Sequence, residues 1–222
     1  MDILKLINKA VSAANPKEYR QYIGASSIGK PCKRAIWYGY HGAEQKDVSS
    51  ALQITFDIGK TLEKLLLEYI GLTDLKLEIP LEENKWLFCQ DSELKEFQGH
   101  MDGLLYLDEL SPTVLEIKTA KSSSFQKFVK DGLLKWNYIY YAQLQAYMGM
   151  ANLNEGILLA INKDNSELHM ETVEFDYDYY ELLKDKVRTI LESKEPPDKI
   201  NNNSCFIICQ RCDFQKICHY GV

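Results

Sequence analysis

Residues 99–119 read GHMDGLLYLDELSPTVLEIKT, the pattern of two short strands joined by a turn. In the first, Asp102 stands within Gly99-His100-Met101-Asp102-Gly103 and is followed by Leu104, Leu105, Tyr106 and Leu107. Asp108-Glu109-Leu110-Ser111-Pro112 has turn chemistry, with a proline to end the pairing. The second strand is Thr113-Val114-Leu115-Glu116-Ile117-Lys118-Thr119. Alternate strand residues face opposite sides, so Leu115 and Ile117 can enter a core while Glu116 and Lys118 project together from the other face. An acid and a lysine on an otherwise apolar central strand carry a desolvation cost that needs an offset. A divalent cation and a phosphate group would supply it.

Outward from this hairpin, residues 51–70, ALQITFDIGKTLEKLLLEYI, carry the longest helical pattern. Glu63 lies there among Leu62, Leu65, Leu66 and Leu67, a half-buried carboxylate suited to a hard cation. Gly59, one turn earlier, permits close approach of a strand or of DNA. Ser122 to Phe125 opens a helix that bears lysines, and a second helix spans 136–150. Gln143 and Tyr147 are four residues apart there and share a face. Strands are expected at 72–79, 85–89, 155–162 and 167–175, with Cys89 a buried small hydrophobe. The acid- and tyrosine-rich helix at 176–194 reads as a solvated outer face, ended by Pro196-Pro197. At the start, Ile3, Leu6, Ile7 and Val11 give residues 2–13 an apolar helical face. Ser26 and Ser27 precede a helix carrying Cys32, Lys33 and Arg34, the two bases being placed near a DNA backbone.

The chain has 222 residues, is 45% hydrophobic and carries a net charge of −6. That suits one domain with a sizeable core and excludes a general polyanion binder. The charge is uneven: Lys118, Lys121, Lys127, Lys130 and Lys135 face only Asp131 in residues 118–135, and phosphates respond to such local basicity. No apolar run approaches a membrane span and the first residues lack a signal-peptide layout, so a cytoplasmic protein is expected. The six cysteines then point to metal or cluster binding rather than disulfides. The tail runs Cys205-x3-Cys209-x2-Cys212-x5-Cys218. Its thiolates suit zinc, with Cys205 or His219 completing the site, or an iron–sulfur cluster.

Asp102 followed by Glu116-Ile117-Lys118 resembles the motif of the PD-(D/E)XK nuclease superfamily, with Met101 in place of the proline. Gly59-Lys60-Thr61-Leu62-Glu63 and Gln143-Leu144-Gln145-Ala146-Tyr147 resemble elements of its RecB-like branch. Cys32 with Cys209, Cys212 and Cys218 resembles the pattern of iron–sulfur CRISPR-associated and AddB-type exonucleases. The resemblance spans residues 24–218. It implies an α/β fold with a central mixed sheet flanked by helices, a restriction-endonuclease-like core. One domain would cover 1–222, with segments 24–40 and 205–218 joined by the cluster. It implies a metal-dependent deoxyribonuclease, an exonuclease acting on single-stranded DNA or open ends. Asp102, Glu116 and Lys118 would be catalytic. Glu63, Asp102, Glu116 and the Ile117 carbonyl would hold Mg²⁺ or Mn²⁺. Cys32, Cys209, Cys212 and Cys218 would hold a 4Fe–4S cluster, with Zn²⁺ as the alternative. Gln143, Tyr147, Lys121 and Lys127 would contact DNA. Association as a homo-oligomer, or with other nuclease or recombination proteins, is compatible with this reading. The rival is a catalytically silent DNA-binding or adaptor subunit, which the complete Asp102, Glu116 and Lys118 set opposes.

Overall fold

The structure is a computed structural model that describes residues 2–14, 20–79, 87–107 and 111–221, with only the backbone of Leu87. Helix α1 (Ile3–Ala14) is followed by strand β1 (Ile23–Gly24) and helices α2 (Ala25–Ile28), α3 (Lys33–Tyr40) and α4 (Ser50–Gly71). Strands β2 (Lys76–Glu78), β3 (Leu87–Gln90), β4 (Phe97–Met101), β5 (Gly103–Tyr106) and β6 (Pro112–Ala120) follow. Next come α5 (Ser122–Asp131), α6 (Leu133–Trp136), α7 (Tyr138–Ala151), β7 (Glu155–Asn162), β8 (Leu168–Glu174) and α8 (Tyr177–Glu192). Two short helices, α9 (Ile207–Gln210) and α10 (Gln215–Tyr220), complete the described chain.

The expected α/β class holds, but the strands divide into two mixed sheets rather than one. The five-stranded sheet has the order β2-β5-β6-β7-β8 and the three-stranded sheet the order β1-β4-β3. Asp102 is the single residue between β4, in the smaller sheet, and β5, in the larger. β5 and β6 form the expected antiparallel hairpin, with Gly103 opposite Leu115 and Tyr106 opposite Pro112. Residues 108–110 of its turn lie outside the described residues. β6 and β7 run parallel, which requires a long crossover, here α5, α6 and α7. The strand expected at 72–79 shortens to β2, and that expected at 85–89 becomes β3, its first two positions lying outside the described residues.

Both faces of β6 are covered, so the strand is apolar on each side except at the site. Leu115 and Ile117 pack with Ile157, Ile161 and α4 residues Leu66 and Leu67. Val114, Leu158 and Ala160 pack with Leu144 and Met148 of α7 and with Val187 and Ile190 of α8. α7 is buried at every residue from Ala142 to Met148, as expected of a helix enclosed on all sides. Asn137 caps its start by accepting from the Ile139 amide and Asn152, at φ 55°, ends it in the left-handed conformation. α8 is not the solvated face expected from its acids. Tyr180, Leu183, Val187 and Ile190 are buried along one stripe, with Lys184 among them held by Glu93 and Glu181.

Candidate active site

The site forms where the β5–β6 ladder stops. Beyond the Gly103–Leu115 rung no β5 residue faces Ile117. Its amide instead donates to Asp102 Oδ2 at 2.7 Å. The Asp102 side chain thus replaces a backbone rung and is fixed by it. The N–H and C=O of a strand residue point to the same edge, so the Ile117 carbonyl also faces this gap. Glu116 is 1% exposed. One of its oxygens accepts from the Lys118 ammonium, while Oε2 is buried with no partner among the described residues. Lys118 also lies 5.2 Å from the Tyr140 ring centre. Glu63 faces the same cleft from α4. α4 starts at Ser49, which accepts from the Leu52 amide, and runs against β6 at Gly59, whose nearest neighbour to an added Cβ is Thr119 Oγ1 at 3.4 Å.

Burial and crowding set the protonation of this group. Burial, then the Asp102 charge, raises Glu63 to about 8 against an opposing pull from Lys118. Burial, then Asp102, raises Glu116 to about 8, and burial raises Asp102 as well. Burial works to lower Lys118, yet Glu116 and Asp102 override it and hold the amine above its ordinary value. Three converging carboxylates with one ammonium lack positive charge, and a buried carboxylate oxygen without a partner is costly. The donor set therefore fits a hard divalent cation held by carboxylates and a backbone carbonyl.

The cleft, of about 510 Å³, also admits side chains that the sequence reading did not assign to the site, Arg20, Tyr22, Ser26 and Lys60, together with His100, which that reading took as structural. Lys60 stands one turn from Glu63, a spacing visible in the sequence. Arg20, Tyr22 and Ser26 reach the cleft because β1 pairs with β4, Ile23 opposite Phe97, a long-range contact that carries no local signal. Gln143 and Tyr147 line the cleft too, at 5% and 3% exposure. Gln143 Nε2 donates to the Tyr147 hydroxyl at 2.9 Å, which donates to the His100 carbonyl at 2.7 Å. That hydroxyl is therefore engaged with β4. Lys121 and Lys127 are exposed at the start and middle of α5 and do not line the cleft. Arg34 does not line the cleft; it donates to the carbonyls of Pro196 and Pro197.

Cys32, Cys209, Cys212 and Cys218 do come together, around one cavity of about 230 Å³, while Cys205 is exposed and outside it. Cys89 is buried elsewhere, as expected. The Phe214 amide approaches Cys212 Sγ at 3.4 Å, and His219, also at the cavity, has a buried Nε2 with no partner among the described residues. Among the described residues no three His, Cys, Asp or Glu side chains are gathered to hold a metal ion. In the cleft, the Lys118 ammonium takes one Glu116 oxygen and the Ile117 amide one Asp102 oxygen. At the cavity, soft thiols are the donor type that both zinc and an iron–sulfur cluster take, and donor chemistry does not separate the two.

No family model matches the chain. An uncharacterized protein of Mycoplasma genitalium, MG373, is 24% identical over 137 residues, 54% of this chain and 47% of that protein, so the match spans about half of that relative. Among solved structures, the chain is similar to the alkaline exonuclease LHK-Exo of Laribacter hongkongensis, with a TM-score of 0.58 and 16% identity over 82% of this chain and 90% of that one. It is similar to SSO0001, with a TM-score of 0.58 and 21% identity over 97% and 95%. It is also similar to a phage-related exonuclease of Haemophilus somnus, with a TM-score of 0.55 and 14% identity over 78% and 92%. The chain thus has the mixed-sheet α/β fold found in these exonucleases. Among the described residues no helix is long and apolar enough to cross a membrane.

Proposed function

We propose that this chain is a metal-dependent DNA nuclease, an exonuclease acting on single-stranded DNA or open ends within the cytoplasm. The observation that carries the reading is that Glu63, Asp102, Glu116 and Lys118 line one cleft, with Glu116 Oε2 buried and without a partner among the described residues. Asp102, Glu116, Glu63 and the Ile117 carbonyl would hold Mg²⁺ or Mn²⁺. When bound, the cation lowers the pKa of a water and neutralises charge on the scissile phosphate. Lys118 is held charged by its neighbours, so it orients the attacking water or meets the developing charge on phosphate oxygens. Asp102 keeps its orientation through the Ile117 amide. Gln143 and Tyr147 hold β4, the strand that leads into Asp102, and border the DNA path; Lys121 and Lys127 add phosphate contacts at its margin. At the cysteine cavity, Cys32, Cys209, Cys212 and Cys218 would hold a 4Fe–4S cluster, with Zn²⁺ the alternative, tying residue 32 to residue 218.

The test is degradation of single-stranded, blunt and tailed DNA by the purified chain with Mg²⁺ or Mn²⁺, beside iron and zinc analysis of protein purified without oxygen. Cleavage that vanishes with chelator and in Glu116→Gln supports the assignment. Binding of DNA without cleavage under any of these conditions would instead mark a silent DNA-binding subunit.

A further inference from the structure

The three-stranded sheet carries an aromatic row that starts in the catalytic cleft and leaves it. Arg20 lies over the Tyr22 ring at 5.9 Å. Tyr22 meets His100 edge-on, with ring centres 6.4 Å apart. His100 meets Phe88 at 5.6 Å. The order follows from register: Phe88 and His100 are opposite partners on antiparallel β3 and β4, so their side chains share a face. Tyr22 immediately precedes β1, the other neighbour of β4. Arg20, Tyr22 and His100 line the cleft with Asp102, Glu116 and Lys118. Phe88 stands beyond it at 53% exposure, a large ring facing solvent.

We infer that Tyr22, His100 and Phe88 form a stacking platform for unpaired bases of a DNA strand whose backbone enters the cleft beside Arg20 and Lys60. Three features support this occupant over a protein partner. The row is continuous with the catalytic cleft, with the His100 ring between those of Tyr22 and Phe88. Arg20 and Lys60 match phosphate charge at the point where a backbone would pass. Base faces stack on aromatic rings with little regard to sequence, as a degrading enzyme requires. Paired bases have their faces covered and cannot use the row, so it favours single strands. The inference rests on the nuclease reading for the direction of the strand.

The test uses the full chain in chelator, to prevent cleavage, and a twelve-nucleotide single strand carrying 2-aminopurine, whose fluorescence falls on stacking. Phe88→Leu keeps an apolar side chain but removes the ring; Phe88→Trp keeps a ring. Phe88→Leu is expected to weaken binding about tenfold, within the range for loss of one base–ring stack, and to diminish the quenching. Phe88→Trp is expected to retain both. Melting temperatures of the two variants should match the parent, since the side chain is exposed. Hydrolysis of a small chromogenic phosphodiester by the parent with Mn²⁺ tests the nuclease reading separately from the platform. Equal binding and quenching in Phe88→Leu and parent overturns the platform. So does an equal loss of affinity for a blunt duplex. Absence of any phosphodiester hydrolysis by the parent counts against the nuclease reading, while the quenching result still decides the platform.

Discussion

At the scale of single residues, charge and orientation decide the chemistry. Glu116→Gln or Asp102→Asn should lower cleavage roughly a hundredfold or more, since each removes charge from the cation's shell. Lys118→Ala should lose a similar factor yet bind Mn²⁺ nearly as well, which titration calorimetry can separate from turnover. The pH dependence has a definite sign. Glu63 and Glu116 move from the ordinary 4.5 to about 8 in the folded chain, so the folded state holds more protons between those values. Their contribution to stability is complete below the unfolded value and is lost as pH rises through about 8. Metal-free protein should therefore melt lower at pH 8 than at pH 5, Glu63→Gln should shrink that difference, and Mg²⁺ should restore stability at pH 8. A metal-free melting profile unaltered by Glu63→Gln would contradict the crowding described here. The meeting of Glu116 and Lys118 in one cleft was readable because strand alternation puts them on the same face. The engagement of Tyr147 was not, because the four-residue spacing of Gln143 and Tyr147 says nothing of a carbonyl 47 positions away.

Elements meet at a few tight places, and there small changes have large effects. A Cβ added at Gly99 would come 2.4 Å from Tyr147 Cε1 and 3.0 Å from Ala25 Cβ, so β4, α7 and α2 admit only glycine without a shift. Gly99→Ala should cost about 1–3 kcal/mol and displace the strand that leads into Asp102, measurable as a lower denaturation midpoint together with weaker cleavage. Arg34 and Trp37 fasten α3 to the segment after α8, through the carbonyls of Pro196, Pro197 and Ser193. Helices α4 and α7 and strands β6, β7 and β8 follow from periodicity and caps. The packing of α8 was obscured because its acids dominate composition, although Tyr180, Leu183, Val187 and Ile190 keep helical spacing. The second sheet was obscured for a different reason: Gly99 to Leu107 reads as one extended run, and nothing local shows that Asp102 ends one sheet and begins another.

Over the whole molecule, the cysteine cavity is where the segment around Cys32 meets the segment that carries Cys209, Cys212 and Cys218. Cys32→Ser, Cys209→Ser, Cys212→Ser and Cys218→Ser should each lower bound metal and melting temperature, because binding to the folded state is linked to its stability. Cys205→Ser and Cys89→Ser should leave metal content unchanged, as neither lines the cavity. Iron lost in Cys205→Ser but kept in Cys32→Ser would show that the tail binds metal alone. Chain order has a further consequence for synthesis on the ribosome. The carboxylates and lysine are made by residue 118 and the last strand by residue 174, but the last cavity cysteine is residue 218. At about 5–20 residues per second, a growing chain therefore holds its cleft residues for seconds before the cysteines that line the cavity with Cys32 are made. A translation stop between residues 192 and 209 would release a product with the strands of both sheets but without three of the four cysteines that line the cavity.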